Sequence, residues 1–163
     1  MQKTIKVTAV IAVILVALSM LALLVSIPLQ RVLGMKVFNY PEDLVAYLPI
    51  FPVSQFLECL LLLGCVILLA VCAGKKGNVL PEILLIVVML TVVPFLGGFL
   101  SGLLPTLLGK FKGTSYIAAN SVATTISNYC MMAANLGNSL GLIVAGMNFV
   151  YKRMSKKLDK LTP

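Results

Sequence analysis

Four apolar stretches, each long enough to cross a lipid bilayer as a helix, constrain this chain more than any other feature. They cover approximately 7–27, 52–72, 79–102 and 129–151, and nearly every Lys and Arg lies between or outside them. A hydrocarbon core about 30 Å thick needs roughly 20 apolar residues per helical crossing. Four crossings would therefore use about half of the 163 residues. The composition agrees: 60% of residues are hydrophobic and 11% charged, against about 45–50% and about 25% in ordinary soluble domains. The expected fold is all-α, a four-helix transmembrane bundle forming a single integral membrane domain over 1–163.

Orientation follows from the cations. Lys3, Lys6, Lys75, Lys76, Lys152, Arg153, Lys156, Lys157 and Lys160 fall on one side of such a bundle, and Arg31, Lys36, Lys110 and Lys112 on the other. Nine against four is a positive-inside bias, which places both termini in the cytoplasm. The first run is longer than a signal-peptide core and lacks a small-x-small cleavage site before Pro28, so it is expected to stay as an anchor helix. An outer loop is expected over 28–51, with a short interfacial helix beginning after Pro41, where Glu42 and Asp43 face the positive end of the helix. The turn Ala73–Asn78 should close a hairpin. Pro94 should act as a hinge in the third run. A second outer loop is expected over 103–128, and a basic cytoplasmic tail over 152–163. Short loops, retained thiols and the lack of a sorting signal point to a plasma membrane of prokaryotic type.

Several classes of chemistry are disfavoured. There is no histidine, and Cys59, Cys65, Cys72 and Cys130 form no C-x-x-C pair. The commonest general base, zinc sites and a disulfide framework are thus not indicated. No Asp, Lys or Arg lies inside the four runs, so neither an aspartyl dyad nor a Ser–Lys pair can assemble there. No enzyme activity, cofactor or metal is expected. The net charge of +8 is expected to meet anionic headgroups rather than nucleic acid, because the cations flank lipid-length runs and sit on no soluble module.

Two carboxylates lie inside the runs, Glu82 at the cytoplasmic start of the third and Glu58 deeper in the second. Glu58 follows Gln55 by one turn, a little below the outer end of the second helix. A charged carboxylate at membrane depth costs about 2.5–3.5 kcal/mol on insertion scales. Such a residue needs a proton, hydrogen-bond donors, water or a cation. If Tyr129 and Phe51 both mark the outer boundary, Asn135 sits at the depth of Glu58, and Asn138 lies on the same stripe. Glu58, Gln55, Asn135 and Asn138 then form a candidate proton- or cation-binding site. The competing reading is a carboxylate hydrated through Gln55, with the asparagines acting as interhelical hydrogen-bonding residues worth about 0.6–2 kcal/mol each. Glu82, after Pro81 at the start of the third helix, is expected to be structural, beside Lys75 and Lys76.

Small-xxx-small ridges occur at Gly97, Gly98 and Gly102 in the third run and at Gly137 and Gly141 in the fourth. Such ridges allow helix backbones to approach closely. Packing of the third helix on the fourth is the first expectation; contact with another copy or with a membrane-protein partner is the alternative. Two functions remain in view. One is an accessory, scaffold or regulatory subunit of a membrane assembly; the other is a small oligomeric transporter or channel built on Glu58. The topology is directly testable. In a background lacking the four native thiols, Gln2→Cys and Thr162→Cys should both resist a membrane-impermeant maleimide in intact cells and react after permeabilisation.

Overall fold

The structure, a computed structural model, describes residues 1–48, 50–108 and 114–161, without side-chain description at 43, 44, 47, 50, 51, 101–120 and 159–161. It is helical, with no strand among the described residues. The elements are α1 (Gln2–Lys36), α2 (Glu42–Tyr47), α3 (Ile50–Cys72), α4 (Leu80–Val87), a π-helical turn (Val88–Val92), α5 (Val93–Leu108) and α6 (Thr114–Leu161). Four helical segments are long and apolar enough to cross a membrane: Gln2–Lys36, Pro52–Cys72, Leu80–Leu100 and Ser121–Leu158. At 1.5 Å per residue, the 35 residues of α1 span about 52 Å and the 48 residues of α6 about 72 Å. Both exceed a hydrocarbon core. The bundle has a basic end, holding the N-terminus, the turn after α3 and the C-terminal part of α6, and a far end.

The helices run further than the apolar runs predict. Pro28 lies inside α1 and is exposed, so its ring meets no packed neighbour. Next to it, Ser26 Oγ donates to Leu23 O at 2.7 Å. The buried Gln30 and Gly34 beyond it hold the last turns against the bundle. Residues 28–36 of the expected outer loop are therefore helix. The chain then reverses through Asn39, at φ 48°, with Tyr40 N donating to Gly34 O at 2.9 Å. The interfacial helix expected after Pro41 corresponds to α2, which folds back onto α1 where Gly34 leaves room. A Cβ on Gly34 would stand 2.9 Å from Leu48 Cδ1.

The third run is irregular one turn before Pro94 rather than at it. Pro94 has no N–H to give the Leu90 carbonyl. The ladder widens just upstream, and Val93 N bonds Val88 O across the π turn. The rare π-helix occurs mostly as single-turn bulges of this kind inside α-helices. The loop expected over 103–128 is likewise mostly helix, in α5 and α6. Only 109–113, with Lys110 and Lys112, lie outside the described residues. The expected tail continues α6 as far as Leu161.

α6 is the central helix. It packs along α1, on α3 and, at the basic end, on α4, while α5 lies on α3 rather than on α6. The buried positions of α1 are Ile5, Ala9, Ala12, Val16, Ser19, Leu23, Ser26, Gln30 and Gly34. They alternate by threes and fours, the 3.5-residue period of a helix pair wound left-handedly. Six of those nine residues are small or polar. Gly137 of α6 faces it so closely that a Cβ there would lie 2.9 Å from Ala12 O and 2.7 Å from Val16 Cγ2. Ser19 Oγ enters the α6 ladder, donating to Cys130 O at 2.8 Å and accepting from Ala134 N at 2.7 Å. The glycine stripe of the fourth run thus serves the first helix at Gly137. At Gly141 it faces Met89 of the third run, the expected contact of third on fourth, together with Val66 of α3.

The two glycines should respond differently. Gly137→Ala pushes against backbone and should destabilise by about 1–3 kcal/mol, read as a lowered unfolding midpoint in detergent. Gly141→Ala meets the movable end of Met89, with Met89 Cε at 2.7 Å, and should cost clearly less.

Candidate functional site

Glu58 is half-buried on α3, and its carboxylate packs on α5 at Gly97, where any side chain would occupy the carboxyl's own space. Gly97 is therefore a seat for Glu58. Gly98, one residue on, is open, and Gly102 lies outside the residues with described surroundings. One turn before Glu58, Gln55 Nε2 donates to Asn128 Oδ1 at 3.1 Å. One residue after it, Cys59 Sγ lies 3.3 Å from Met131 Sδ. These two pairs fix the register of α3 against α6 and put Glu58 near the level of Met131.

Asn135 is thus about one turn, roughly 6 Å, deeper than Glu58. The equal depth assumed from the aromatic residues does not hold, because α6 starts so much earlier than its apolar run. Asn135 is exposed and Asn138 half-buried. Asn138 Oδ1 is buried without a hydrogen-bond donor, as is Gln55 Oε1. The four residues of the candidate site therefore divide. Gln55 joins Asn128, Glu58 turns to α5, and Asn135 and Asn138 lie further along α6.

A second polar cluster, which the sequence pattern does not assemble, forms at the basic end. Glu82 is fully buried, and Lys152 Nζ stands 2.7 Å from its Oε1, with 5% of the lysine side chain exposed. Asn148, one helical turn before Lys152, donates Nδ2 to the same Oε1 at 2.6 Å and to Cys72 O at 3.2 Å. Its Oδ1 accepts from Gly74 N at 2.9 Å. Lys152 Nζ also donates to Asn78 O at 2.7 Å. Gly74 has φ 70°, a left-handed turn position suited to glycine, and its carbonyl accepts from Gln2 Nε2 at 2.8 Å. The cluster therefore ties the starts of α1 and α4, the turn after α3 and the last part of α6 together.

Glu82 is expected from the sequence to be structural beside Lys75 and Lys76; its ion-pair partner is Lys152, and Lys75 is exposed. Lys152, read as the first residue of a solvated tail, is interior because α6 continues straight past Tyr151. A continuing helix carries Asn148 and Lys152 on one face, four residues apart, and that spacing opposite a buried acid was the available signal. The charge is paired and fully enclosed through Oε1, while the buried Oε2 has no hydrogen-bond partner among the described residues; with its charge paired, the cluster acts as a clasp. Among the described residues, no three His, Cys, Asp or Glu side chains come together as metal ligands.

Comparisons with protein-family models, with curated proteins and with solved structures find no match. The functional reading therefore rests on the geometry.

Removing one partner of a buried pair leaves an uncompensated charge, at a cost of about 3–5 kcal/mol. Lys152→Met should show that loss as a lowered unfolding midpoint in detergent. Glu82→Gln combined with Lys152→Met should recover most of it, since no charge then remains buried.

Proposed function

We propose that this chain is a multi-pass membrane protein with both termini cytoplasmic, acting without catalysis as an accessory or scaffold subunit that docks on another transmembrane helix. One observation carries the reading. α6 has a second, unoccupied face on the side that α1 leaves free. Asn135, Ser139 and Gly146 recur along it at helical spacing, and all three are exposed, while Asn128 on the same stripe accepts from Gln55 of α3. Nothing lies within 4 Å of where a Cβ on Gly146 would stand. Ser139 satisfies itself on Asn135 O at 3.0 Å, while the Asn135 amide has no hydrogen bond among the described residues.

Inside a bilayer, helices associate through close packing and interhelical hydrogen bonds rather than through a hydrophobic drive. An exposed amide flanked by a hydroxyl and a glycine suits a partner helix better than it suits lipid tails. The unsatisfied Asn138 Oδ1 beside that face adds an acceptor.

A second reading keeps Glu58 as a proton- or cation-binding residue of an oligomeric transporter. It is favoured by a half-buried carboxylate seated on Gly97, in a segment that carries no Lys or Arg. Proton or monovalent-cation flux through reconstituted protein, lost in Glu58→Gln, would support it.

The docking reading is tested by a photo-crosslinking amino acid at Met132, which is 59% exposed and adjoins the polar face. A discrete membrane-protein adduct is expected in cells. It should disappear with Asn135→Leu plus Gly146→Leu, and a probe at Leu21 on the opposite helix should yield none. Correctly inserted protein that gives no adduct at Met132 would sink the docking reading.

A further inference from the structure

The basic end contains a recess that the clasp does not account for. It has two adjoining lobes of about 480 Å³ and about 380 Å³, within the usual range of small-molecule clefts. The lobes share Gly77, Asn78, Lys152 and Lys156. The first adds Lys76 and Ser155, so its wall is cationic and hydroxylic. The second adds Arg153, whose guanidinium lies 5.9 Å from the Phe149 ring centroid, together with the apolar Val79, Ile83 and Phe149.

Four cations line one recess. The charge of Lys152 is taken by Glu82, the only carboxylate described beneath it, so the positive charge of the recess comes from Lys76, Arg153 and Lys156. Arg153 and Lys156 are exposed. Charge alone would fit any anion. The apolar wall of the second lobe narrows the choice: Ile83 is exposed on the flank of a lipid-length helix, so an occupant can hold its anionic group among the cations and run its carbon chain down α4.

We propose that this recess binds the phosphate-bearing headgroup of an anionic membrane lipid, with Arg153, Lys156 and Ser155 on the phosphate and Val79, Ile83 and Phe149 against the glycerol and first acyl carbons. Basic pockets between transmembrane helices on the cytoplasmic side are suited to such headgroups. The inference rests on the membrane placement proposed above and not on any partner of α6.

The test is native mass spectrometry of the detergent-solubilised protein titrated with phosphatidylglycerol, with phosphatidylcholine of the same chains, and with soluble glycerol 1-phosphate. Phosphatidylglycerol should bind in clear preference to phosphatidylcholine. Arg153→Ala plus Lys156→Ala should weaken it more than about 10-fold, since one cation near the surface is worth roughly 5-fold. These side chains lie outside the Glu82 clasp, so the unfolding midpoint should not move. Ser155→Glu, which adds a like charge to the first lobe, should weaken binding comparably. Lys3→Ala plus Lys6→Ala, the same loss of charge at the same end, should change binding by less than about threefold.

An equal loss in the Lys3/Lys6 variant would reduce the effect to diffuse charge and overturn the site, as would the absence of any preference for phosphatidylglycerol. Glycerol 1-phosphate displacing the lipid at equal concentration would overturn the lipid assignment in favour of a soluble phosphate. Failure of the Met132 adduct would leave all of these outcomes unaffected.

Discussion

The close approach of α1 to α6 is the constraint on which the rest of the structure depends. Where Ala12 and Gly137 face each other, backbone meets side chain at distances that leave no room for a methyl group. A few residues away, the Ser19 hydroxyl bridges two backbone groups of α6. Lipid tails are as apolar as leucine, so in the bilayer proposed for this chain the pair could gain little from burying leucine alone. Contact area at short range and enclosed hydrogen bonds are what remain. This explains why the α1 seam holds Ala9, Ala12, Ser19 and Ser26, while the larger Leu18, Leu21, Leu24 and Val25 are exposed.

The basic end is held differently. There Glu82, Asn148 and Lys152 enclose a charge pair, which is weak evidence for stability in itself because desolvation offsets much of the attraction. Its consequence is positional. Two side chains one turn apart on α6 bond the Cys72 and Asn78 carbonyls and the Gly74 amide, so the turn between α3 and α4 has one arrangement relative to α6. The recess above it inherits its shape from that arrangement. The far end is tied without a charge pair: Gln30 Nε2 of α1 donates to Ser127 Oγ at 3.1 Å and to Ala123 O at 3.4 Å, Gln55 pairs with Asn128, and Glu58 of α3 packs on α5 at Gly97. Both ends are thus tied across helices by buried hydrogen bonds, the basic end with a charge pair in addition.

Much of the secondary structure was legible because period and hydropathy are local. α3 spans Ile50–Cys72, almost the run read as 52–72, and α2 begins directly after Pro41 as its proline and acids indicate. The errors have one origin: hydropathy reports which residues tolerate lipid, not where a helix stops. Residues 28–36 and the segments flanking 109–113 are polar enough to look like loops, yet packing or mere continuation keeps them helical. The sequence marks Pro94 as a hinge, but the irregular turn lies upstream at Val88–Val92, where the Leu90 carbonyl that Pro94 leaves without a donor also lies.

From the sequence alone came the all-helical class, the four lipid-length segments, the asymmetry of cations and the absence of histidine chemistry, since each depends only on residue type and spacing along the chain. Which residues meet was decided by the tertiary structure. Glu58 and Asn135 looked like neighbours until the register of α3 on α6 set them a turn apart. Glu82 and Lys152, separated by 70 positions, looked unrelated until α6 carried the lysine inward. Register between helices depends on side-chain shape summed along the whole contact, here on small residues such as Gly137 and Ser19, and no local pattern in a single chain encodes that sum.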